Sequence, residues 1–169
     1  MLFRRIYCTI LLGSLMMLIS VSNATAQDVS KYQALFMTKF MEYVQWPEGN
    51  DSFVIGVVGN SRVLTELQAL IKSKGRDATV KKIANASSVK GCHIVFIPAD
   101  QAKLFQTIKE ASSGTSTMII SETQELAAKG SIITFYVEGG KLKFIINRKE
   151  AESRKLLMSS SLLNLAKVI

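Results

Sequence analysis

Apolar positions along this chain switch between two periods, and each switch marks an element. Tyr32, Leu35, Phe36, Phe40, Tyr43 and Val44 recur at three- and four-residue spacing, which predicts an amphipathic helix. Asp28 or Ser30 is placed to cap its start, and Trp46-Pro47 to stop it, because a residue before proline avoids the helical region. The run "FVIGVVG" at 53–59 is almost continuously apolar, as expected of a strand covered on both faces. Val63, Leu64, Leu67, Leu70 and Ile71 then form a helical stripe ending before Gly75.

The same alternation continues. "ATVKKI" (78–83) predicts a short strand near a sheet edge, since two lysines interrupt it, and "CHIVFI" (92–97) a buried strand. Leu104, Phe105 and Ile108 mark a helix closed by Gly114. "STMIIS" (116–121) is a further strand, followed by a short helical piece around Leu126, Ala127 and Ala128 that stops at Gly130. "SIITFYV" and "KLKFIIN" flank Glu138-Gly139-Gly140 as a hairpin. The segment 149–169 has helical character, with Leu156, Leu157, Leu162, Leu163, Leu165 and Ala166 as its apolar set. The expected class is α/β: a mostly parallel sheet of about five to six strands flanked by helices, ending in an antiparallel hairpin and a C-terminal helix.

The first 26 residues break this pattern. Arg4 and Arg5 precede the apolar run "IYCTILLGSLMMLISVS", and Ala24-Thr25-Ala26 is a small-x-small cleavage signature. Residues 1–26 are therefore expected to be a signal peptide cut after Ala26, and residues 27–169 a single domain delivered to the periplasm. Export takes away two arginines and no acid, so the net charge falls from +8 to +6. The surplus lies in scattered lysine and arginine groups with no interleaved aromatic residues, which argues against nucleic acid as a partner. Cys8 leaves with the signal, and Cys92 alone cannot close an intramolecular disulfide.

Candidate chemistry is sparse. Cys92 and His93 are adjacent on a strand, so their side chains point to opposite faces and cannot share one ion or act as nucleophile and base. A structural zinc site usually needs four protein ligands, which the domain does not have in cysteine and histidine. Gly56 and Gly59 at a strand-to-helix junction fit neither the dinucleotide fingerprint nor the Walker pattern. Ser159, Ser160 and Ser161 lack a base other than the single histidine. No catalytic, metal or cofactor-binding residue is expected, and the chain is not expected to be an enzyme.

Two binding regions remain. The aromatic helix offers Phe36, Phe40 and Trp46 as contacts for a protein partner, with a tryptophan at a helix end as a natural anchor. In open α/β sheets, ligands sit outside the carboxyl ends of the strands, where Gly59, Asn60, Asp100, Glu122 and Thr123 would line a crevice for a small molecule.

Taken together, "KFMEYVQWPE", "FVIGVVG", "GRDATVKKI", "GCHIVFI", "KGSIITFYVEGGKLKFIIN" and "LLMSSSLLNLAKVI" resemble the YfiR family of periplasmic regulators, in its order and spacing. The resemblance implies a non-enzymatic repressor that binds the periplasmic portion of an inner-membrane diguanylate cyclase or sensor protein, lowering cyclic-di-GMP and biofilm formation. It also implies a homodimer that touches the membrane only through that partner. The alternative is a periplasmic small-molecule sensor using the crevice. Ser131 and Thr134 depart from a glycine and an asparagine common in the family, and Lys155 from a glycine.

Overall fold

The computed structural model describes residues 22–47, 49 and 52–169. Nearly all of the expected signal peptide, residues 1–21, lies outside them. The first element, α1 (Ser22–Tyr43), is a 22-residue helix that starts ahead of the expected caps at Asp28 and Ser30. It ends at Tyr43 and passes into β1 (Val44–Gln45) before the Trp46-Pro47 pair.

The remaining elements alternate as the periodicity implies. They are β2 (Phe53–Val58), α2 (Arg62–Ser73), β3 (Ala78–Ile83), a 3-10 turn (Ala86–Val89), β4 (Ile94–Ile97) and a second 3-10 turn (Ala99–Leu104). There follow α3 (Phe105–Ala111), β5 (Met118–Ser121), α4 (Glu125–Ala128), β6 (Ile133–Glu138) and β7 (Lys141–Ile146). The chain closes with α5 (Arg148–Ser153), β8 (Leu157–Met158), α6 (Ser160–Leu163) and β9 (Lys167–Val168).

Seven strands form the main sheet in the order β3-β2-β4-β5-β6-β7-β9, while β1 and β8 pair separately. The sheet is thus larger than the five to six strands expected, because the C-terminal segment contributes β9. Strands β3, β2, β4, β5 and β6 are mutually parallel, in the doubly wound order that reverses direction between β2 and β4. The hairpin β6–β7 is antiparallel and turns at Gly139 and Gly140, whose φ values of 58° and 72° suit the two-residue hairpin turn that twists with its strands. Strand β3 is an edge, as its lysines imply.

Strand alternation divides the core in two. Phe53, Ile55 and Val57 of β2, Ile94 and Phe96 of β4, and Met118 and Ile120 of β5 face α1 and α2. Val95, Ile97 and Ile119 point the other way, against Phe105 and Ile108 of α3 and Leu126 of α4. Gly56 is required where the sheet meets Cys92 and Ile83. A Cβ there would lie 2.8 Å from Ile83 Cδ1 and 3.1 Å from Cys92 Sγ.

The C-terminal helix is present only as two short helices, and the reason is local. Lys155 adopts φ +58°, which ends α5 in the left-handed conformation that glycine takes most easily. Leu157 and Met158 then pair with Gln45 and Val44, so the chain is drawn into β8. Ser159 restarts a helix by accepting the Leu162 N–H at 3.3 Å, a capping use of a residue that weakens a helix interior. The other departures from the family pattern are mutually satisfied. Ser121 Oγ donates to Ser131 Oγ at 2.9 Å and lies 3.1 Å from Thr134 Oγ1, all three being fully buried.

A surface link fastens α1 to the turn after α2. The Arg76 guanidinium, and after it Lys39, hold the Glu42 carboxyl down at about 2. A depressed carboxylate adds stability above its unfolded value of roughly 4.3 and loses it as pH falls towards the folded value. The pair is partly exposed, so its worth is about 1 kcal/mol or less. Urea midpoints measured between roughly pH 5 and pH 2 are expected to fall less steeply in Glu42→Gln than in the parent chain.

Candidate functional site

The aromatic residues expected to meet a partner are largely inside. Phe40 is fully buried and Trp46 is 5 % exposed, so neither presents a surface to another protein. Phe40 stacks on Phe36 at 6.2 Å and on Phe135 at 6.1 Å, and meets the Phe144 ring edge-on at 5.5 Å. Phe36 is half-buried against the same rings. Helical spacing put these residues on one face correctly. It could not say that this face belongs to the core, because a partner-binding face and a core face have the same period. The solvent face of α1 carries Tyr32, Leu35 and Tyr43, which the same pattern contains.

Trp46 instead closes the amino end of the sheet. Its ring meets Phe53 edge-on at 4.9 Å, and its Nε1 donates to the His93 carbonyl at 3.3 Å. His93 stacks on Phe53 at 4.4 Å, and its Nδ1 accepts the Val54 N–H at 3.1 Å. That nitrogen is committed to holding β2 beside β4. Cys92, on the opposite side, is buried, and burial pushes its thiol above the ordinary value, with Lys81 partly offsetting the rise. The thiolate is the reactive form. Iodoacetamide at mildly alkaline pH is therefore expected to label Cys92 slowly in the folded chain and fully in urea. Equal rates in both would contradict its burial.

The crevice residues do come together. Gly59 and Asn60 follow β2, Asp100 follows β4, and Glu122 and Thr123 follow β5, so all five stand at the carboxyl ends of three neighbouring strands. Their chemistry is turned inward, however. One Glu122 oxygen accepts the Ala99 N–H at 2.7 Å, and the other accepts Gln33 Nε2 at 2.6 Å. Glu122 thereby ties α1 to the loop after β4. The Gln101 side chain stands over Gly59, where an added Cβ would lie 3.2 Å from it. Asn60 accepts a hydrogen bond from Lys82 at 2.7 Å.

A second feature, at the opposite, amino end of the strands, has no counterpart in the sequence patterns. An open groove of about 700 Å³ runs between α3 and α5, bordered by Gln106, Lys109, Ser113, Ser116, Glu150 and Arg154. Arg154 is 9 % exposed. Its Nη1 donates to the Ser112 carbonyl and hydroxyl, each at 3.1 Å, and to the Thr117 carbonyl at 3.2 Å. Its Nε donates to Glu150 at 3.3 Å, and Lys109 stands 3.6 Å from the other Glu150 oxygen. Among the described residues no cluster of three histidine, cysteine or acidic side chains is arranged to hold a metal.

Comparison with known proteins adds what geometry leaves open. A family model described as YfiR/HmsC-like matches residues 30–167. The chain belongs to the YfiR/HmsC-like family. No curated protein matches it in sequence. Among solved structures, one described as an ABC domain in complex with L-Trp from Streptococcus pneumonia superposes with a TM-score of 0.62 at 14 % identity. That superposition covers 83 % of this chain but spans only 60 % of the other, and at this identity it establishes the α/β fold alone.

The YfiR/HmsC-like family is one of periplasmic regulators. Among the described residues no helix is long and apolar enough to cross a membrane.

Proposed function

We propose that this YfiR/HmsC-like protein represses an inner-membrane diguanylate cyclase by binding the periplasmic sensor portion of that enzyme. Residues 1–26 direct export and are cut after Ala26, and residues 27–169 act as a homodimer that lowers cyclic-di-GMP and biofilm formation. The family match over residues 30–167 carries this reading.

The mechanism is linkage. A repressor that prefers the inactive conformation of its target shifts the target towards it, and one with equal affinity for both shifts nothing. A preference of about 3–5 kcal/mol is enough to hold nearly all of a balanced switch in one state. The contact falls on the solvent face of α1 rather than on Phe40 or Trp46. Tyr32 is 53 % exposed and Tyr43 40 %, and tyrosine is a residue type that anchors protein interfaces.

Deleting the gene is expected to raise cellular cyclic-di-GMP, and restoring it to return the level to normal. Cyclic-di-GMP that stays constant across several growth conditions would remove the repressor reading. Co-purification from membrane extract tests the surface: Tyr32→Ala with Tyr43→Ala should lose the cyclase while the melting temperature is kept.

A further inference from the structure

Polar side chains sealed inside this chain are satisfied, with one exception. Ser112, Thr117, Ser121, Ser131, Thr134 and Arg154 are buried and all have hydrogen-bond partners. Gln33 of α1 is 2 % exposed, and its Oε1 is the one buried side-chain oxygen or nitrogen among the described residues that meets no donor. Native folds leave few such atoms, and each calls for a reason. Turning the amide round does not remove the exception. Its Nε2 donates to Glu122 Oε1 at 2.6 Å, and exchanging the two ends would set one acceptor against another.

Oε1 shares its amide with the nitrogen that meets Glu122, so the orphaned oxygen lies beside that carboxylate. Glu122 follows β5 at the carboxyl end of the sheet and is partly open to solvent. Its other oxygen accepts the Ala99 N–H at 2.7 Å, just past β4. A carboxylate can accept about four hydrogen bonds, so each Glu122 oxygen keeps a lone pair. This corner of the crevice therefore offers acceptors: an amide carbonyl wholly unused and a carboxylate half used. Its complement is a cation that carries N–H donors. A hard metal ion fits less well, because it takes about six to eight oxygen ligands and no cluster of three acidic, histidine or cysteine side chains is arranged for one among the described residues.

We propose that Gln33 Oε1 and the Glu122 carboxylate bind the ammonium head of a small organic amine, which enters from the solvent side of Glu122. One ammonium N–H donates to Gln33 Oε1 and another to the lone pair that Glu122 keeps, while Glu122 retains its bonds from Ala99 and from Gln33 Nε2. A charge-assisted pair of this kind is stronger than a neutral hydrogen bond. The empty chain is then less stable than it could be, because it holds a binding group without a partner, the usual trade between stability and function. The site does not depend on the repressor reading: Tyr32, the contact offered there, is exposed, whereas Gln33 beside it is buried.

Magnetic resonance of the isotope-labelled chain, purified from periplasmic extract, tests it. Titration with propylammonium chloride or putrescine dihydrochloride is expected to move the Gln33 side-chain and Ala99 backbone amide peaks saturably in the millimolar range. Tetramethylammonium, a cation without an N–H, should leave them in place. Gln33→Met keeps the length of the side chain and removes the orphaned oxygen. It should raise the melting temperature by about 2–6 °C and abolish the response at Ala99. Glu122→Gln should weaken binding about tenfold or more. No saturable shift with either amine, an equal shift with tetramethylammonium, or a tighter response to calcium chloride would overturn the proposal. So would a Gln33→Met chain that melts below the parent while Ala99 still responds to putrescine, since the amide would then be purely structural. If Gln33→Met does not fold, Glu122→Gln decides, and unchanged amine binding in it rejects the site.

Discussion

Phe40→Ala lowers the stability of the folded chain by about 3–5 kcal/mol, read as a fall in the urea midpoint. The side chain is fully buried and contacts the rings of Phe36, Phe135 and Phe144, so its removal leaves a void that rigid aromatic neighbours fill poorly. Phe40, together with Phe36, seats α1 on β6 and β7, and domains of this kind are stable by only about 5–15 kcal/mol. Any loss of partner binding in this variant therefore follows from unfolding. Tyr32→Ala provides the contrast, because an exposed position changes stability by about 0.5 kcal/mol or less. If Phe40→Ala melts like the parent chain, the assignment of α1 to the core is wrong.

Arg154→Ala is expected to cost about 3–5 kcal/mol, for an electrostatic rather than a packing reason. The guanidinium satisfies the Ser112 and Thr117 carbonyls and the Glu150 carboxylate from a site almost closed to water. Truncation takes away the Thr117 carbonyl's donor and one of the Glu150 carboxylate's, while the Ser112 carbonyl keeps the Thr115 hydroxyl at 2.8 Å, and each buried unmet group costs about 1–3 kcal/mol. Lys109, at 3.6 Å from Glu150, offsets only part of the loss. The two sites share one network, so Arg154→Ala with Glu150→Ala should destabilise by less than the sum of the single changes. Strict additivity would mean that the bridge contributes nothing.

Both positions show where sequence patterns reach and where they stop. The apolar runs of β2, β4 and β5 and the helical stripe of α2 are plain in the sequence, because a strand covered on both faces excludes polar residues and a helix covered on one face imposes a period. Arg154 gave no such signal. Apart from Glu150 one helical turn back, its acceptors on Ser112 and Thr117 lie 42 and 37 residues away along the chain, and hydrogen bonds between distant segments leave no periodic trace. The C-terminal segment misled for a related reason. Its leucines have helical spacing, but pairing of Leu157 with Gln45 and of Lys167 with Ile145 draws it into two strands. Local propensity there is outweighed by tertiary hydrogen bonding.

The candidate sites divide along the same line. Gly59, Asn60, Asp100, Glu122 and Thr123 were placed together because strand order puts carboxyl ends side by side, and topology is legible in alternation. That Glu122 spends both oxygens on Ala99 and Gln33 was not legible, since satisfaction of a polar group depends on which partner the fold delivers. Phe36, Phe40 and Trp46 were recognised as one aromatic set, but only packing showed that Phe40 and Trp46 are interior. By itself the sequence determined the class of fold, the order of strands and helices, and the family. The tertiary structure alone decided which aromatic residues reach solvent and which charges are locked away. Periodicity records whether a side chain is buried on its own element, whereas exposure, pairing and adjacency depend on segments far apart in the chain.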